Sequence, residues 1–199
     1  MQINPQLTTF AKRYPILTLF MVLSTVISLL TGFGYFFDVL LWFHFDWTRI
    51  ANGQWWRLIT PIFLHFPMLG IIFAHLAFNL IWFYYFGTRI EQTDGSRYFL
   101  GFILLAALVS NSCQAYFSPG LFGGLSGVVF AQLGYLFLRP KLSFYPAPIP
   151  DNIAFFLIGF MLLSAVGLFG GGIANAAHLA GFAFGLAWAW VRHLQRQYQ

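Results

Sequence analysis

Several apolar runs near 20 residues long recur along this 199-residue chain, and each approaches the length that crosses a hydrocarbon core about 30 Å thick. Charged residues make up 8% of the chain, where a soluble domain carries about a quarter, so solvation in water is not what this sequence is built for. With a mean hydropathy of +0.74 the pattern describes an all-α, polytopic membrane protein. Six segments are expected: Pro15–Thr31, Met68–Phe86, Tyr98–Phe117, Ser126–Leu138, Ile153–Phe169 and Ala174–Val191. They divide the chain into a short N-terminal segment (1–14), a membrane domain (15–191) and a C-terminal tail (192–199).

The first run follows Lys12-Arg13, as a signal peptide would. It continues into "TGFGYFFD", where bulky aromatics replace the small residues of a cleavage site, so it reads as a retained anchor. The connection from Gly32 to Pro67 carries Trp42, Trp47, Trp55 and Trp56, rings that prefer the headgroup level, and is expected to lie in the membrane interface.

Alternation of six segments puts Lys12, Arg13, Arg89, Arg97, Arg139, Lys141, Arg192 and Arg196 on one side and only Arg49 and Arg57 on the other. Eight against two places both termini in the cytoplasm. The net charge of +5 is thereby explained without nucleic acid, since no basic cluster exceeds two residues. The single cysteine, Cys113, excludes an intrachain disulfide or a cysteine-built metal site, and no metal or other cofactor is expected.

The fourth segment is short. From Ser126 to Arg139 is 13 residues, about 20 Å of helix. If Arg139 and Lys141 mark the inner interface, Ser126 lies on the order of 10 Å below the outer surface. The preceding "PGLFGG" must then enter the membrane as irregular backbone, which is tolerated only against protein or water. His178 precedes Arg192 by 14 residues, and His75 precedes Arg89 by the same number, so three polar groups share one depth. Asn79 stands one turn below His75 on the same face. Ala177, Gly181, Gly185 and Ala189 form a small-residue stripe that faces Gly127, Ala131 and Gly134 in this reading, and small residues let membrane helices approach closely.

These residues suit nucleophilic catalysis. Ser126 would attack a carbonyl, with His178 as base and then as acid for the leaving amine. Asn79, His75 and the Ser126 backbone N–H would supply oxyanion donors. Asp38, Asp46, Glu91, Asp94 and Asp151 lie in loops or at segment ends, which argues for a Ser–His dyad. Blander readings exist. "GLSG" alone is ordinarily helix packing, with Val128 where the soluble hydrolase elbow has its second glycine. One mid-membrane histidine can simply bond a neighbouring helix, although intramembrane ionisable groups lean functional. His65 and His193 look structural, His44 lies in the aromatic loop, and the "GGG" at 170–172 is an outer turn and not a phosphate loop.

Five motifs in order make the chain resemble the rhomboid family of intramembrane serine proteases, in its compact six-helix bacterial form. They are Trp56-Arg57, "HLAFN" at 75–79, "GTRIEQTDG" at 87–95, "GLSG" at 124–127 and "AHLAGFAFG" at 177–185. The resemblance implies a protease using Ser126 and His178, an oxyanion hole of Asn79, His75 and Ser126, and Gly124, Gly127, Phe130, Gly181 and Gly185 in support. It also implies single-span transmembrane substrates cut near the outer leaflet, lateral entry past the fifth segment and the loop before the sixth, and a bacterial inner-membrane location. Phe130 stands where close bacterial relatives have a tyrosine, so a ring remains beside the histidine without its hydroxyl. His65 and His75 are ten positions apart, wider than the family pattern, and no role is carried to His65. Two rivals remain. A transporter or channel built on His75, His178 and Asn79 predicts interior acids and internal repeats, and neither occurs. A catalytically idle, client-binding relative would usually lack the serine or the histidine, and both are present.

Overall fold

The computed structural model describes residues 5–168 and 172–197, which form helices and turns with a single isolated β-bridge. In chain order the helices are α1 (Pro5–Arg13), α2 (Pro15–Leu30), α3 (Phe37–Leu40), α4 (Trp47–Ala51), α5 (Ala74–Asp94), α6 (Ser96–Phe117), α7 (Ser126–Leu142), α8 (Asp151–Ala165) and α9 (Asn175–Gln197). Six of them correspond to the expected segments. Among the described residues, by length and composition, α6 alone, at 22 residues, is long and apolar enough to cross a membrane unaided, while α2 and α8 are apolar but shorter.

Several boundaries differ from expectation, among them the far ends of the second helix, at Asp94 and not Phe86, and of the sixth, at Gln197 and not Val191. The second helix starts at Ala74 and not Met68, because Leu69 (φ 54°) and Gly70 (φ 74°) fold residues 68–71 into a tight reverse turn. Met68 and Ile71 exchange both backbone hydrogen bonds across it, at 3.1 and 3.0 Å. Hydropathy alone cannot separate such a turn from a helix start. The fourth helix continues past Leu138 to Leu142 with Pro140 inside its last turn, where the Ser143 N–H still reaches the Arg139 carbonyl. The fifth stops at Ala165; Phe169, and Gly170 and Gly171 of the glycine run, lie outside the described residues.

The bundle is assembled around α7, whose residues 127–136 are all buried. Its widest contact is with α9, followed by α5 and α6. The α7–α9 approach is backbone against backbone. A Cβ on Gly181 would overlap the Gly127 carbonyl oxygen, one on Gly185 the Ala131 carbonyl oxygen, and one on Gly134 the Phe182 carbonyl oxygen. Such closeness gains dispersion energy where lipid offers no hydrophobic driving force. At the far end of α7, Arg139 is fully buried instead of marking an interface with its charge, and it is held by Ser143 and the Tyr145 ring. Lys141 does remain exposed, over the Phe137 ring.

Polar links tie the periphery to this centre. Glu91 near the end of α5 accepts the backbone N–H groups of Ile16 and Leu17 at 3.0 and 2.9 Å, satisfying the first turn of α2. The long connection 31–73 is pinned by Arg57, also fully buried, which donates to the carbonyls of Leu41 and His44 and to Gln54. Asn111 of α6 adds a bond to the Leu58 carbonyl at 2.8 Å.

Gly185→Ala is expected to destabilise the bundle by about 1–3 kcal/mol, since the methyl group meets backbone that cannot swing aside. Gly159→Ala on α8, where a Cβ meets nothing within 4 Å, should be neutral or stabilising by up to about 1 kcal/mol. Detergent-denaturation curves read by circular dichroism compare the two. Gln132, buried on α7 with neither amide atom partnered among the described residues, offers the opposite case. Gln132→Leu should raise stability in the same assay by about 1–3 kcal/mol.

Candidate active site

The segment leading into α7 determines where Ser126 stands. Gly123 lies against the Leu64 and Pro61 carbonyls, where a Cβ would come within 2.7 and 2.9 Å, and the Gly124 N–H donates to the Pro61 carbonyl at 3.0 Å. Gly124 itself sits at φ 118°, outside the range of ordinary L-residues. The chain is thus bound to the long connection until α7 begins at Ser126, whose backbone N–H belongs to a first helical turn without an intrahelical acceptor.

On the opposing helix, His178 lies one turn into α9. The α9 start is fastened from two sides: the Ala177 N–H donates to Gln114 of α6 at 3.1 Å, and Asn175 exchanges two hydrogen bonds with Ser164 of α8. The glycine contacts bring α7 and α9 so close that Ser126 Oγ and His178 Nε2 are 2.8 Å apart. Phe130, one turn below Ser126, lays its ring 4.7 Å from the His178 ring at a tilt of 40°. His178 Nδ1 has no hydrogen-bond partner among the described residues. Gly127 faces Ser110 of α6, where a Cβ would meet the serine side chain at 2.7 Å.

His75 and Asn79 come from α5. His75 Nδ1 accepts the Phe66 N–H at 3.4 Å, which leaves the proton on Nε2. That Nε2 faces Gly124, 2.7 Å from where a Cβ would be. Asn79, buried, donates through Nδ2 to the His75 carbonyl at 3.0 Å; that nitrogen lies 3.5 Å from where a Gly124 Cβ would be, and Oδ1 has no hydrogen-bond partner among the described residues. Ser126, His178, His75 and Asn79 all line one cavity of about 140 Å³, with Phe66, Met68, Phe78 and Phe160 among its apolar walls. The volume holds several water molecules, and polar atoms are present to bind them.

His65, expected to be structural, stands closer to the site than its sequence position suggests. It is fully buried, its Nδ1 is 3.0 Å from Ser28 Oγ, and its ring stands edge-on to His75 with centroids 5.0 Å apart. The wide spacing from His75, now seen to be taken up by the 68–71 turn, was the available signal. His193 stays peripheral, beside Trp190 and Gln197. His44 offers its carbonyl to Arg57, and burial together with that guanidinium holds its imidazole below the usual range.

A serine hydroxyl on an imidazole nitrogen, at a cavity within a helical bundle, suits a serine hydrolase. Residues 52–195 match the family model of the Rhomboid domain. The Rhomboid protease GlpG of Haemophilus influenzae is 34% identical over 182 residues, covering 91% of this chain and 92% of that relative. The chain therefore belongs to the rhomboid family and is an intramembrane serine protease, an integral membrane protein by the same membership.

A Cβ on Gly124 would lie 2.7 Å from His75 Nε2, so Gly124→Ala should push that ring away from the cavity and reduce cleavage of a transmembrane reporter by about a hundredfold. Gly120→Ala shares a positive φ, 144°, but its Cβ meets nothing within 4 Å. It should cleave at close to the parental rate.

Proposed function

We propose that the protein is an endopeptidase in which Ser126 and His178 act as a catalytic dyad. The observation that carries this reading is the 2.8 Å contact between Ser126 Oγ and His178 Nε2 at a water-sized cavity. With its proton on Nδ1, the neutral imidazole accepts the serine O–H through Nε2. Attack on a peptide carbonyl transfers that proton to His178 and forms a tetrahedral adduct. The imidazolium then protonates the departing amine, and a water deprotonated by His178 hydrolyses the acyl-enzyme. The absence of a partner on Nδ1 among the described residues favours a dyad over a triad, with the Phe130 ring limiting imidazole rotation in place of a carboxylate. The adduct's oxyanion would be met by His75 Nε2–H, the Asn79 side-chain amide and the Ser126 backbone N–H.

In this reading α2, α5, α6, α7, α8 and α9 all span the membrane, the shorter ones by packing against longer neighbours. The eight-to-two distribution of Lys and Arg puts both termini in the cytoplasm of a bacterial inner membrane. Ser126 then lies below the outer surface, open to solvent above. The substrates are single-span membrane proteins. Their outer segment must unwind before a peptide bond can be reached, so small or helix-breaking residues favour cleavage. An idle, client-binding relative is the competing assignment, and it is disfavoured by the hydrogen-bonded serine and histidine.

Purified protein incubated with a transmembrane reporter should generate one new terminus near the reporter's outer end. Ser126→Ala should lower the rate by more than about a thousandfold while leaving the melting curve unchanged. Covalent labelling by a fluorophosphonate should disappear in the same variant. Cleavage persisting in Ser126→Ala would remove the dyad assignment.

A further inference from the structure

A second cleft lies at the other end of α5 from the candidate active site. Arg89 follows His75 by 14 residues, which carries it about 21 Å along the helix axis. There α5, the α1–α2 junction and the connector between α7 and α8 enclose a cleft of about 440 Å³. Phe10, Tyr14, Tyr84, Arg89, Gln92 and Pro146 line it, and among the described residues no acidic side chain does.

The polar atoms there are arranged as donors. Arg89 rests its guanidinium 3.8 Å from the Tyr85 ring centroid and gives one N–H to the Tyr85 carbonyl, which fixes the group and leaves its other N–H groups unspent. Tyr14 donates its hydroxyl to Gln92 Oε1 at 3.0 Å. That bond occupies the carbonyl end of the amide and leaves the Gln92 NH₂ to donate. The nearest carboxylate in sequence, Glu91, is buried, is not among the residues lining the cleft, and accepts the backbone N–H groups of Ile16 and Leu17. Lys12 and Arg13, exposed in the last turn of α1, add positive charge at the rim, and Arg13 lies 5.4 Å from the Tyr14 ring. One wall is apolar: Phe10 and Tyr84 stack at 5.8 Å and 26°.

Fixed donors, surplus positive charge and an aromatic wall together match a phosphodiester joined to hydrocarbon. We propose that this cleft binds the headgroup phosphate of an anionic phospholipid, with Arg89 and Gln92 on the phosphate oxygens and Phe10 and Tyr84 against the glycerol and upper acyl chain. The six-span reading above puts the cleft at the headgroup level of the inner leaflet, and the inference rests on it in that respect. A basic pocket between helices at that level is where an anionic lipid gains most over a zwitterionic one.

The test uses the intact protein in nanodiscs and in detergent. A photoactivatable phosphatidylglycerol should crosslink to peptides containing residues 84–92 or 10–14, and native mass spectrometry should retain phosphatidylglycerol at least fivefold over phosphatidylcholine. Arg89→Ala should abolish that preference, Arg89→Lys should keep part of it, and Lys141→Ala, at a different cleft, should leave it intact. Equal retention of the two lipids, or crosslinks confined to other segments, overturns the proposal. So does preference undiminished in Arg89→Ala, or displacement of the lipid by millimolar glycerol phosphate, which would mark a site for a free phosphate. The crosslink is read on the parental chain, so a variant that fails to fold does not spare the idea. Reporter cleavage measured in parallel shows whether the protease assignment fails separately.

Discussion

The contact on which the rest depends is the one between the backbones of α7 and α9. Gly127, Ala131 and Gly134 on one side and Gly181 and Gly185 on the other leave no room for a further carbon atom between them. In lipid, where apolar side chains gain nothing by leaving their surroundings, close packing of this kind is a main source of helix cohesion. It also sets a distance. A serine and a histidine side chain are short, and helices held apart by leucines at 8–10 Å would seldom let them touch at 2.8 Å. Cohesion and geometry therefore rest on the same residues, and a mutation there cannot alter one alone.

Around this contact the protein manages polar groups in two ways. Away from the site it satisfies them inside the bundle: Glu91 on the start of α2, Arg57 on three oxygens of the long connection, Asn111 on the Leu58 carbonyl. At the site Ser126, His75 and Asn79 line one cavity, with His75 Nε2 turned toward Gly124 and the first-turn N–H of α7 lacking an intrahelical acceptor. Polar groups gathered at a cavity cost less to leave without a protein partner, because water can reach them. The turn at 68–71 contributes by carrying the chain from His65 back to His75, so that one imidazole braces the other.

Much of this was readable in the chain, and the reasons for the remainder are physical. Counting residues from Arg139, Arg192 and Arg89 works because helical rise is constant; it placed Ser126, His178 and His75 at one level, and the three line one cavity. The small-residue stripe was visible for the same reason, as a period of four. What hydropathy could not reveal was any place where apolar residues are not helical, hence the late start of α5 at Ala74. At Arg139 the sequence did not reveal that the guanidinium is fully buried, against Ser143 and the Tyr145 ring. A composition-based reading assigns charges to water, and only coordinates reveal a local partner. The surroundings of His65 escaped for a related reason, since its partners Ser28 and His75 come from different helices.

The Glu91 bonds to Ile16 and Leu17 have a consequence for biogenesis. The acceptor lies about 75 residues after the groups it satisfies, so α2 emerges from the ribosome well before its cap has been synthesised. Until then the amides at its start lack the acceptor that satisfies them in the folded protein. The seating of α2 is thus completed only after α5 has been made, and truncated nascent chains ending before Glu91 should leave it less firmly packed.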